Sequence, residues 1–444
     1  MHRRRSMASA LTAVAALLVA SAPAAAEPRG KLSLVTVALN GGPADNYSTP
    51  GTGVSAHGRY IVFASAATNL VAGDTNDQVD VFVRDTVGRR TMLVSQGNGG
   101  VASDGESRPG NISADGRYVV FESAATTFAA GDDNGTFDVF VRDLVRGTTT
   151  LVSAGPDGPA ELGALRPDIS ADGRYVAFDS ASPNLIAGDT NATSDVFVRD
   201  LAAGHTERVS VTPDGGQSDY FSSDPSISAH GTVVAFTSSE ALVPGPPLPF
   251  PTDMLVYARD RQRHTTVVLS RDVPVDPRSF VATSSEPAIS DNGRYVVFNH
   301  GGSLGVGVDP VPNVWLRDLR TGRLELISAD YRGEPSTMLN YPAGGDVSAD
   351  GRFVAFTTRA PVFRSDTDGL SDAFVKDRQS GSLIWITRGQ QRPYPEVGNG
   401  AYGAAISADG RHVSFASDLD LLNEGPPPGV VSDRVFAWDR VPPR

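Results

Sequence analysis

One phrase recurs seven times along this chain, and it constrains the fold more than any other feature. It reads VSAHGRYIVF from Val54, ISADGRYVVF from Ile112, ISADGRYVAF from Ile169, ISAHGTVVAF from Ile227, ISDNGRYVVF from Ile289, VSADGRFVAF from Val347 and ISADGRHVSF from Ile406. Its glycines (Gly58, Gly116, Gly173, Gly231, Gly293, Gly351 and Gly410) stand 57 to 62 residues apart. A second phrase follows each copy: DVFVRD from Asp80, Asp138 and Asp195, then LVYARD, NVWLRD, AFVKD and RVFAWD. A weaker third follows that (TMLVS, TTLVS, ERVSV, TVVLS, LELIS, LIWIT). Repeats of this length cannot bury a core singly and must stack on their neighbours.

The phrases read as strands. They alternate and are rich in β-branched and aromatic side chains. Asp-Gly before Arg-Tyr predicts a tight hairpin whose two central residues both reach positive φ. The imidazoles of His57 and His230 and the amide of Asn292 fall in the same turn and are read as turn residues. Each unit then holds a short first strand ending in Ile-Ser and three more. Four-stranded antiparallel units repeated around an axis make a β-propeller. The expected fold is all-β, with seven blades over 27–444. The seventh repeat lacks its fourth strand, and the orphan run Leu32–Val37 is expected to supply it, closing the ring and hiding two sheet edges.

Repeats of this form resemble those of the TolB-like, WD-like propeller family of bacterial envelope proteins. The resemblance covers residues 32–439, with Ala and Arg standing where that family's Ser-Pro-Asp-Gly-Lys turn has Pro and Lys. It does not extend to the N-terminal α/β domain of TolB itself. It implies a propeller fold and an envelope setting, and is poor in functional detail.

Composition excludes several classes. There is no Cys, so disulfides, thiolate nucleophiles and Cys-ligated metals are out. A net charge of −13, with Lys only at 31 and 376, argues against a nucleic-acid partner. Residues 1–26 read as a cleaved signal peptide: Arg3–Arg5, an apolar run around Ala13–Ala20, and Ala24-Ala25-Ala26 as the cleavage site. The run is short of the roughly 20 apolar residues of a span. A secreted or periplasmic monomer without a membrane span is expected.

Up-and-down blades place their tight turns on one face and their long connections on the other, where binding is expected. Those connections carry Asp74, Asn76 and Asp80; Asp132, Asn134 and Asp138; Asp189, Asn191 and Asp195; and Asp366, Asp368 and Asp372. Oxygens at positions 1, 3 and 7 resemble the first half of a calcium loop. The same residues also make Asx turns, and with no Glu at position 12 and no Gly at position 6 that reading outweighs a calcium cofactor. Repeats four, five and seven carry proline-rich loops instead. A second candidate is the axial opening, where Arg108, Arg166, Asp168, Asp224 and Glu286 precede the Ile-Ser steps and offer mixed charge to a polar ligand.

Enzyme signals are weak. Gly301-Gly302-Ser303-Leu304-Gly305 matches G-x-S-x-G but lacks the helix a nucleophile elbow needs. The recurring Arg-Asp dipeptides (Arg84-Asp85 and its copies) read as a strand-end turn and ion-pair device. The expected function is a non-catalytic scaffold for a protein or envelope glycan. The alternative is a lyase- or lactonase-type propeller enzyme with a calcium-assisted site on the long-loop face, which would need ligands from several blades to converge.

Overall fold

The computed structural model describes residues 30–239, 242–244, 254–273, 281–303, 312–336, 345–388, 400–419, 421–422 and 433–440. The export segment read in 1–26, the proline clusters at 245–247, 310–311 and 426–428, and Leu304-Gly305 of the G-x-S-x-G string lie outside them.

Every repeat is a four-stranded antiparallel sheet, with strands in chain order. Blade one comprises Ser48–Val54, Tyr60–Ser65, Asp80–Asp85 and Arg90–Leu93. Blades two to six span 107–151, 165–208, 222–268, 281–326 and 345–385. Blade seven holds Ala401–Ile406, His412–Ser417 and Arg434–Arg440, and its fourth strand is Gly30–Leu34. The first strands touch their neighbours in a closed ring, with that of blade seven against that of blade one. The protein is therefore a seven-bladed β-propeller. Its closing strand begins two residues earlier than the sequence suggested and continues through a Val35 N–H bond to the Val435 carbonyl (2.8 Å).

The core follows from the two phrases. The Phe ending the second strand faces the aromatic of the third, as in Phe121 against Phe140 (centroids 5.6 Å apart) and Phe356 against Phe374 (5.4 Å). These rings are fully buried, and each such side chain contributes about 1.5–3 kcal/mol of transfer free energy.

The turn joining first and second strands differs from the expected hairpin. Glycine alone takes positive φ (Gly116, +74°); the preceding Asp does not. Asp115 Oδ1 instead accepts from Ser113 Oγ (2.6 Å) and the Arg117 N–H (2.9 Å), while Ser113 Oγ accepts the Tyr118 N–H (2.9 Å). Asp is selected here as an acceptor rather than for left-handed backbone. Gly is required twice over: a Cβ at Gly116 would fall 2.1 Å from the Tyr60 ring of the previous blade.

These seven turns are tied into a circle. Ala56 N–H bonds the Ala114 carbonyl, Ala114 bonds Ala171, Asp172 bonds Ala229, Ala229 bonds Asp291, Asn292 bonds Ala349, Ala349 bonds Ala408, and Asp409 returns to Ala56, all at 2.9–3.2 Å. The Ala that follows Ser in six of the seven turns, replaced by Asp291 in blade five, lets neighbouring turns approach this closely.

The Arg-Asp dipeptides do not pair internally. Asp143 is forked by Arg117 of the preceding turn (2.7–3.2 Å), and Asp85, Asp200, Asp318, Asp377 and Asp439 are gripped likewise by Arg59, Arg174, Arg294, Arg352 and Arg411. Adjacent side chains on a strand point to opposite faces, so Arg142 reaches Thr149 Oγ1 (3.0 Å) and the Gln96 carbonyl (3.2 Å) instead.

Candidate functional site

The first strand of each blade lines the axis, and those of blades one to five and seven carry a register shift. In blades three, four and five the shift falls at Arg166-Pro167, Asp224-Pro225 and Glu286-Pro287. Arg166, Asp224 and Glu286 are held there at φ of +53°, +52° and +50°. Left-handed backbone at a charged non-Gly residue costs of order 1 kcal/mol or more and clusters at functional sites. Bulges re-aim side chains, and these three are turned toward one another.

Arg166 Nε lies 3.0 Å from Asp224 Oδ1, and its Nη1 lies 2.9 Å from Asp179 Oδ2. The Arg166 N–H donates to Glu122 Oε2 (2.6 Å). Arg108 stands 3.6 Å from Glu122 Oε1, bonds Glu106 (2.9 Å) and lies over the Phe137 ring (4.2 Å). Glu286 Oε2 accepts from Asn299 Nδ2 (3.0 Å). Hydrogen bonds and ion pairs thus link the cluster across blades two to four, and Glu286 of blade five is near enough to feel the charge of Asp224. Glu122, Asp179 and Asn299 were not read from the sequence. They occupy one repeat position, just after the second-strand Phe, which is Ala in blades one and seven. That departure from the repeat was the available signal.

The cluster is acidic and underpaired. Burial pushes the Asp179 carboxyl up to about 7 and raises Glu122; Glu286, open to solvent on its outer side but crowded by protein, is raised by that crowding and by repulsion from Asp224. Asp179 Oδ1 and Asn299 Oδ1 are buried acceptors without a hydrogen-bond partner; His300 Nε2 is also unpartnered, its ring meeting Ser284 Oγ through Nδ1 (2.7 Å). Burial draws the His300 pKa down to about 4, keeping the ring neutral. Orphaned buried acceptors are costly and fit a ligand that brings donors.

Asp168 is placed differently. Its Oδ1 accepts from Asn111 Nδ2 and the Ile169 N–H (both 2.9 Å), and its Oδ2 from the Ile227 N–H (2.8 Å). It staples blades two, three and four together. Asp346, which the sequence reading passed over, does the same for blades six and seven through the Val347 and Ile406 N–H groups (2.7 and 2.8 Å).

The Asx loops separate into two kinds. In blades one to three the Asn amide points into the loop. Asn76, Asn134 and Asn191 Nδ2 donate to Asp80, Asp138 and Asp195 Oδ2 at 2.8–2.9 Å and to the carbonyls of Ser103, Ala160 and Ser218. The other oxygens of those aspartates take Ser95, Ser153 and Ser210 (all 2.6 Å). In blade three Arg208 also reaches Asp189 (3.4 Å) and Asp195 (3.0 Å). A donor thus sits where a cation would. Blade six has Asp368 in place of the Asn, and oxygens of Asp366, Asp368 and Asp372 lie within 4.8 Å of one another. Burial pushes Asp366 up to about 7 and Asp372 up to about 6.

A cavity of about 850 Å³ opens on the short-turn face between blades four and five, lined by His230, Thr232, Val233, Val267, Asp291 and Leu319 among others. It exists because blade four breaks the repeat. Thr232 replaces the forking Arg, and Val233 replaces the ring (Tyr in four blades, Phe353 and His412 in the others) that elsewhere fills the space under the next turn's glycine. A Cβ at Gly293 would meet nothing closer than Val233 Cγ2 at 3.4 Å.

Fold and site together define a closed propeller with an acidic, hydrogen-bond-accepting axial mouth. No family model matches the chain, and no curated protein does. Solved structures do. An oligogalacturonate lyase in complex with manganese is 11% identical over 93% of this chain and 98% of its own, with a TM-score of 0.53. The propeller domain of the Trilobed protease from Pyrococcus furiosus, described as having an open velcro topology, is 13% identical over 89% and 94%, with a TM-score of 0.50. A putative TolB from Agrobacterium tumefaciens is 16% identical over 63% and 80%, at a TM-score of 0.41, too loose a match to build on. At these identities the shared property is the propeller fold. Among the described residues no helix is long and apolar enough to cross a membrane.

Proposed function

We propose that this protein is an exported, non-catalytic binding propeller that takes a donor-rich polar ligand, the hydroxyls of an envelope glycan or a cationic protein segment, into its axial mouth. The observation that carries the reading is the set of strained, charged residues Arg166, Asp224 and Glu286, converging on buried acceptors that have no partner of their own. Acidic excess at the axis disfavours a polyanionic ligand. The basic, apolar and small-residue order of residues 1–26 supports export. The enzyme alternative needs metal ligands converging from several blades. Among the described residues, the one group of three carboxylates whose oxygens are close enough to share an ion comes from a single loop of one blade.

The test is co-sedimentation of the purified protein with peptidoglycan and, separately, its retention by an immobilised oligo-lysine peptide. Retention by either, weakened by Asp224→Asn and Glu286→Gln but not by Val145→Ser on the exposed outer edge, supports the reading. No retention by either, or retention that ignores the axial substitutions, overturns it.

A further inference from the structure

We propose that the loop of blade six holds one divalent cation of the calcium class through Asp366, Asp368 and Asp372. The site is separate from the axial mouth and does not depend on it. Three observations carry it. First, the three carboxylates each place an oxygen within 4.8 Å of the others. Calcium–oxygen distances are roughly 2.3–2.6 Å, so two ligands of one ion stand at most about 5 Å apart, and this set fits around a single point.

Second, two of the three are deeply buried and incompletely partnered. Asp366 is 6% exposed and Asp372 3% exposed, and the Oδ2 of each has no hydrogen-bond partner. Thr387 Oγ1 supplies the other oxygen of Asp372, and the Leu370 N–H supplies Asp368 Oδ1 (2.9 Å). Buried carboxylates without a counter-charge are expensive, and the free oxygens are the ones a cation would use.

Third, the other three Asx loops serve as internal controls. Each fills the equivalent point with a donor: the amides of Asn76, Asn134 and Asn191. In blade three Arg208 adds a positive charge. Arg208 lies opposite Phe197; the residue opposite the matching Phe374 of blade six is Trp385, whose indole N–H lies beside Asp372 without completing a hydrogen bond and brings no charge. Blade six thus loses both the amide and any cationic side chain while gaining a third carboxylate. A hollow of about 150 Å³ beside it, lined by Ser365, Thr367, Asp368, Asp372, Trp385, Thr387 and Leu419, leaves room for water ligands. Three carboxylates from one loop exceed the one or two by which magnesium, reluctant to shed its waters, is usually held, and so favour calcium.

The experiment is calorimetric titration of chelator-treated full-length protein with calcium chloride up to about 10 mM, beyond the weakest calcium modules, with magnesium chloride in parallel. Tryptophan fluorescence is followed in the same samples, with Trp385→Phe as the control that assigns any change to Trp385 rather than to Trp315 or Trp438. The expected result is one calcium per chain and a fluorescence change. Asp368→Asn installs the residue that three other blades already fold around, and it should weaken calcium about tenfold or more with thermal stability in chelator unchanged or raised. No calcium uptake, equal uptake by Asp368→Asn, or preference for magnesium would each overturn the proposal.

Discussion

Leu34 lies directly across from Phe436 in blade seven, so the two ends of the described chain form one sheet. Ser33 faces Ala437 and Lys31 faces Asp439 in the same ladder. The Val35 N–H bonds Val435, and alternation along an antiparallel pair then turns the Ser33 N–H inward as well. Ser33→Pro should therefore remove a ring-closing bond and cost about 1–3 kcal/mol. Deleting residues 27–36 should do more, baring the Arg434–Arg440 edge for pairing with other chains. Thermal melting and light scattering read both outcomes. A deletion variant that melts unchanged and stays monodisperse would mean that closure contributes nothing.

The Arg forks predict resistance to acid. Arg117 beside Asp143, and Arg174 beside Asp200, hold those carboxyls down to about 2. A depressed folded pKa contributes stability that is present above the unfolded value near 4 and lost as pH falls through about 2. Arg117→Ala should shift acid unfolding to higher pH, with only a small loss of stability at neutral pH because one member of the pair is open to solvent. Circular dichroism from pH 6 to pH 1.5 would show it; coincident curves for variant and parent would exclude the fork as the cause.

How legible all this was depends on whether a residue belongs to the repeat or departs from it. Ile-Ser, Asp-Gly and Asp-Val-Phe-Val-Arg-Asp recur, so blade number, strand order and ring closure could be read directly. Glu122, Asp179 and Asn299 sit inside a phrase that otherwise reads as core, and their convergence depends on bulges that no local spacing announces. Asn76 and Asp368 have the same oxygen spacing. The sequence shows that one is an amide and the other a carboxylate, but not that the amide turns its Nδ2 inward to fill the loop, which is a tertiary fact. Asp143 has Arg142 beside it in sequence but Arg117 beside it in space, because neighbouring side chains on a strand diverge.

Blade four offers a test by restoration. Thr232→Arg returns a forking partner to Asp260, which now relies on Arg263 (2.6 Å). Val233→Tyr refills the space beneath Gly293. Together they should raise the melting temperature, since burying an added aromatic ring in existing space is worth about 1–2 kcal/mol. The same pair should shrink the 850 Å³ cavity, visible as reduced binding of a hydrophobic dye. A lower melting temperature would show that the cavity walls cannot take the ring.

The axial staples make the opposite prediction to the forks. Burial, reinforced by Asp168 and Asp291, pushes Asp346 up to about 7 despite two amide donors. Burial likewise pushes Asp168 to about 6. Both are hemmed in by protein yet keep partial solvent contact along the axis. A raised folded pKa means stability that is fully present below the unfolded value near 4 and lost as pH rises through about 7. The ring should therefore melt lower at pH 8 than at pH 5.5. Asp346→Asn keeps one acceptor for the two N–H groups, so it should lose about 1 kcal/mol in acid. It should also flatten the decline between pH 5 and pH 8 by up to one proton, a slope of about 1.4 kcal/mol per pH unit where that proton is released. Melting curves across that range decide it: parallel profiles for parent and variant would mean that Asp346 is ionised throughout and that its two amide bonds outweigh its burial.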